Sequence, residues 1–179
     1  MRTALRMTCL ALALVALALW GSSVALRTEA DLPEIRFANA KPSRDALIAG
    51  FVQALFANDR EAIEKLRIDQ NEYRNFILPG SVKPGRPPQI MPDDKNAYFW
   101  QHHNTLSVYS LGGLLKSYGG KIWSVRKIEY PRVDEFAWYI AHRDPIIHLQ
   151  SEDGTVTTLQ VGTIAEHNGR FKFISYRSD

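Results

Sequence analysis

The residues best suited to chemistry stand in the run AYFWQHHN, where His102 and His103 are adjacent. A histidine titrates near neutral pH, so one of them facing a cavity could serve as a general base. On a helix, neighbouring residues point about 100° apart. At most one of the two can therefore face inward, and the pair cannot readily share a metal. Tyr98 or Tyr130 could supply the hydrogen-bond donor that such a base needs as company. His142, Asp144 and His148 form H-x-D-x3-H and are of zinc-ligand type. Pro145 and the alternation of a strand work against their convergence, so no metal is expected. Asp93 and Asp94 could raise one another's pKa as a carboxylate pair, but at the start of an apolar run they read as helix-capping residues. A glycine-rich phosphate loop, G-x-S-x-G, H-E-x-x-H and C-x-x-C are all missing from the sequence. The residues imply no cofactor.

Around these polar groups the chain is rich in aromatics. Trp100, Trp123, Trp138 and Tyr139 could line a ligand cavity for a small hydrophobic molecule; the same residues would otherwise be ordinary core.

The first 25 residues read as a secretory signal. Arg2 and Arg6 precede the apolar run Thr8 to Trp20, and Ser23 and Ala25 offer the small side chains that signal peptidase requires, with cleavage after Ala25. The expected address is periplasmic or secreted. Met7 to Leu26 is also 20 uncharged residues, enough to span a bilayer if cleavage failed, so a membrane contact is expected only for an uncleaved N-terminus. Cys9 is the sole cysteine and leaves with the signal, so the mature chain must be held by its core and not by disulfides. Of 22 Lys and Arg, two are lost with the signal, which leaves 20 against 19 acids. A near-neutral chain without a basic stripe is not expected to bind nucleic acid.

Residues 26–42 read as a linker that docks Ile35 and Phe37, with a short strand at 34–37. Ser43 then caps a helix whose Leu47, Ile48, Phe51, Val52, Leu55 and Phe56 make one apolar stripe. Asp59 caps a second helix, and a third runs from Asn71 to Leu78, stopped by Pro79-Gly80. Residues 79–92 hold five prolines and two glycines and must form an irregular loop, either a stiff connector or a lid. A long helix follows Pro92 with Trp100, Asn104, Val108, Leu111, Leu115 and Tyr118 on one face, and Gly112-Gly113 marks a kink, a close contact or a break. From Lys121 the period becomes alternating. Strands are expected at 121–130, 136–142, 146–151, 155–167 with a bulge at Gly162, and 170–176. Asp153-Gly154 and Asn168-Gly169 are dipeptides of primed hairpin turns, which makes the last three strands an antiparallel meander.

Helices first and strands last predict an α+β domain over 43–179, with N-terminal helices packed on one face of a bent antiparallel sheet. The runs ALIAGFVQALFANDREAIEKL and SEDGTVTTLQVGTIAEHNGRFKFISY are similar to the opening helix and closing hairpins of the nuclear-transport-factor-2-like superfamily, the cystatin-like α+β cone. The resemblance implies a cone-shaped cavity; it transfers no catalytic residue, because the middle of the chain departs from the pattern. Three functions are weighed, of which the first is the one expected and the second its alternative. One is a non-catalytic module that binds a small ligand or a protein partner, including a homodimer through its sheet face. The second is a cavity hydrolase, dehydratase or isomerase with a histidine base. The third is an envelope scaffold held by an uncleaved N-terminus.

Overall fold

A computed structural model describes residues 36–177; the signal segment, with Ala25 and Ile35, lies outside the described residues. Helix α1 (Arg44–Phe56) begins where Ser43 Oγ accepts the Ala46 N–H, and it buries Leu47, Ile48, Phe51, Val52 and Leu55. Helix α2 (Arg60–Lys65) is capped the same way by Asp59, which accepts from Ala62 N. The third helical stretch is longer than its apolar pattern suggests. It runs through α3 (Gln70–Glu72), a π-helical turn (Tyr73–Ile77) and α4 (Leu78–Gly80). Pro79 therefore lies inside it. A proline ring clashes with the carbonyl four residues back, and the widened turn relieves that clash. Gly80 then passes so close to Trp138 that an added Cβ would stand 2.8 Å from it.

Helix α5 (Asp93–Tyr118) is unbroken through Gly112-Gly113. Its cap residue is Pro92, not an aspartate; Asp93 and Asp94 stand in the first turn, where the helix dipole favours them, and Asp93 pairs with Arg74. The buried residues are Ser107, Leu111 and Leu114, while Val108 is exposed, so the inward face is rotated from the one expected.

The strands are β1 (Trp123–Glu129), β2 (Arg132–Glu135), β3 (Ile140–Arg143), β4 (Ile146–Ser151), β5 (Val156–Gln160), β6 (Thr163–His167) and β7 (Arg170–Ser175). They form two antiparallel sheets, β1-β4-β5 and β2-β3-β6-β7. The two are halves of one meander that folds along a line of backbone breaks. The line runs through Pro131, through Asp144-Pro145, where Asp144 has φ 50°, and through Gly162 at φ 87°. Bonds from Asp144 N to Gly162 O and from Val161 N to Pro145 O stitch it. Gly162 is thus a full break and not a bulge within one strand, and a Cβ there would collide with the Ser175 carbonyl.

Three further details differ from expectation. Residues 36–40 are not a strand; Lys41 alone bridges to Phe171. Residues 136–139 form a turn closed by Phe136 N to Tyr139 O, and β2 precedes it. Of the two turn dipeptides, Asn168 and Gly169 both have positive φ, as a type I′ turn demands, but at Asp153-Gly154 only the glycine does. That turn is a type I turn followed by a left-handed glycine, with Gly154 N bonded to Ser151 O.

The four-stranded sheet is covered on both faces, where one was expected. Ile164, Phe171 and Phe173 pack with α1, whereas Ala141, Ala165 and Ile174 pack with Phe37, Ile68, Tyr73, Phe76 and Ile77. On this second side Lys172 and Glu72, each almost wholly buried, pair at 2.7 and 2.9 Å. The same carboxylate accepts from Ala38 N and Asp69 N, so the charge is fully bonded where water cannot reach it.

Candidate functional site

The second core does not close completely. Between the π turn, α5 and the four-stranded sheet lies a cleft of about 280 Å³ whose walls include Tyr73, Ser81, His103, Phe136, Tyr139 and Arg143. The π turn points Tyr73 toward α5, where its ring stacks on His103 with centroids 4.7 Å apart. Widened turns of this sort recur at functional sites. Trp100, one turn earlier on α5, backs both rings at 5.5 and 6.2 Å.

His103 Nε2 lies 2.8 Å from the Ile174 carbonyl. A carbonyl can only accept, so Nε2 carries the proton and Nδ1 is the imidazole's acceptor. Burial pulls the His103 pKa below its ordinary value, against the opposing pull of the Ile174 carbonyl. Across the cleft Tyr139 OH and Ser81 Oγ share a bond of 2.8 Å, and Ser81 also donates to Ile77 O. Burial raises the pKa of Tyr73 and Tyr139. Arg143 donates to the Asp134 carboxylate and lies over the Phe136 ring, 5.8 Å from its centroid. The arrangement offers aromatic faces, one neutral imidazole and a hydroxyl pair, with a cation at the border.

Of the residues singled out by sequence, His103 and Tyr139 line this cleft, and Trp100 supports it. His102 and Tyr98 are exposed on α5 away from the cleft, their rings parallel at 6.4 Å. Tyr130 bonds Asp45 at 2.8 Å beneath the Arg44 guanidinium. Trp138 packs on Phe76, and Trp123 on Tyr118. Tyr73, Ser81, Phe136 and Arg143 carried no distinguishing sequence signal beyond a helical run that meets Pro79.

His142, Asp144 and His148 do not converge. His142 Nε2 meets Glu166 at 2.7 Å, Asp144 pairs with Arg177, and His148 pairs with Glu129. No group of three ligand-type side chains is placed to hold a metal among the described residues. The couple of buried His142 with half-buried Glu166 resembles a catalytic dyad, yet the His142 Nδ1 faces Arg44 Nη1 at 3.4 Å. Both ring nitrogens are engaged, so none is left for a substrate. The described residues also hold no helix long and apolar enough to cross a membrane. The chain matches no family model, no curated protein and no solved structure.

Proposed function

We propose that this is an exported, non-catalytic domain of nuclear-transport-factor-2-like kinship that binds a small, largely apolar molecule in the His103 cleft. The kinship is supported by a meander bent along one line over a long capped helix; the helical cover on the second face is the departure from it. The observation that carries the binding reading is the combination of Tyr73, Phe136 and Tyr139 around an opening with a single imidazole. A cavity enzyme would need a second titratable group bonded to that imidazole. Among the described residues the only hydrogen bond of His103 goes to a backbone carbonyl. At about 280 Å³ the cleft is at the small end of ligand cavities, which suits a compact molecule.

Native mass spectrometry of protein purified from the periplasm of an expression host tests this. The expected spectrum shows residues 26–179 carrying an added small-molecule mass, and that mass is lost from Ser81→Trp, which puts an indole in the cleft's wall. A bare protein, or an adduct that survives Ser81→Trp, overturns the reading. A mass that begins at Met1 overturns the cleaved export signal.

A further inference from the structure

A second opening, of about 720 Å³, lies between α5 and β5 and shares no lining residue with the His103 cleft. Its walls include Tyr109, Gly112, Gly113, Lys116, Tyr118 and Thr158. We propose that it is a docking slot for an extended polypeptide segment, which adds to β5 as a further strand and sets a carboxylate against Lys116.

The first argument is the state of the sheet edges. Unpaired edges invite strand addition, and folded chains blunt them. The outer edge of β7 is covered: Lys41 and Phe171 exchange two backbone bonds, and Phe173 bonds to Leu66 and Ile68. Edge strand β1 carries a register break between Val125 and Lys127 and the charges of Arg126 and Lys127. Edge strand β2 has only four residues, three of them charged. By contrast β5, VTTLQ, has no charge, proline or bulge.

The second argument is direction. Val161 N–H points to Pro145 O, on the β4 side. Backbone groups of an antiparallel strand alternate sides, so Val156, Thr158 and Gln160 present theirs to the outer edge. Thr158 O confirms the phase by accepting the Tyr118 hydroxyl at 3.3 Å, a long bond that an incoming N–H could replace. Among the described residues no strand pairs with this edge.

The third argument is α5 itself. Glycine costs a helix interior about 1 kcal/mol relative to alanine. Packing does not demand it at 112, where an added Cβ would meet only Arg60, at 3.8 Å. Gly112 is itself one of the residues that line the slot. A strand beside a helix, bonded through its backbone, is a recurrent mode of peptide recognition. Lys116 is the sole charged residue in the lining, which sets the sign of the partner's charge.

The test pans phage-displayed random heptapeptides with free C-termini on the protein, with counter-selection on Gly112→Leu. Enriched peptides, once synthesised, should bind the wild type and bind at least tenfold more weakly to both Gly112→Leu and Lys116→Glu. They should also slow amide exchange at Val156, Thr158 and Gln160. Lys116 is exposed, so its variant keeps the test decisive if Gly112→Leu misfolds. No enrichment, or peptides indifferent to Lys116→Glu, overturns the proposal. Concentration-dependent dimerisation abolished by Gly112→Leu, without peptide enrichment, overturns it in favour of a second copy of the chain.

Discussion

At the scale of single residues, His103 shows how burial and one carbonyl set a side chain's state. Burial lowers its pKa more than the Ile174 bond raises it, so the folded imidazole is neutral at pH 7. In the unfolded chain the same group titrates near 6.5. Below that pH the unfolded state binds the extra proton, so stability falls as pH drops from about 6.5 toward the lower folded value. His167, whose Nδ1–H is held by the Trp138 carbonyl, is shifted in the same direction, again mainly by burial. Urea titrations between pH 7.5 and pH 5 should therefore show a falling midpoint. His103→Asn should flatten part of that fall and leave the part due to His167. An identical pH slope in the variant would show that His103 is protonated to the same extent in both states.

At the scale of elements, α5 is continuous although two glycines lie in its last third. Gly112→Ala removes the conformational cost of glycine and introduces one methyl in ordinary contact with Arg60. It should stabilise the protein by about 1 kcal/mol, read as a raised urea midpoint with an unchanged slope. A loss of stability instead would mean that the backbone at 112 needs glycine's freedom. The elements themselves were largely legible in sequence. Ser43, Asp59 and Asn168-Gly169 announced two helix starts and a turn through local hydrogen-bonding chemistry, and local chemistry does not depend on the rest of the fold. What was not legible depended on tertiary placement. Phe136, Trp138 and Tyr139 have the composition of a strand, but they turn to insert into the second core. Lys172, between Phe171 and Phe173, is buried with a partner, Glu72, that lies 100 positions away. The candidate site was half visible for the same reason. The helical phase allowed only one of His102 and His103 inward. Choosing between them needed the rotation of α5 that buries Ser107, Leu111 and Leu114, and Tyr73 reaches His103 only through a π turn.

At the scale of the whole molecule, the decisive property is that one sheet serves two cores. Phe173 is fully buried with α1, and its neighbour Ile174, 8% exposed, is buried against the π turn. In a sheet with one solvated face, adjacent residues on a strand cannot both be costly to truncate, because successive side chains point to opposite faces. Here both should be. Phe173→Ala should cost about 3–5 kcal/mol and Ile174→Ala about 2–5 kcal/mol. Each is a large share of the 5–15 kcal/mol that typically holds a domain together. Chemical denaturation of the two single variants measures this directly. If Ile174→Ala fell within about 0.5 kcal/mol of wild type, as a surface change would, the second core would add nothing to stability. The His103 cleft, roofed by that core, would then have no rigid wall on which to hold a ligand.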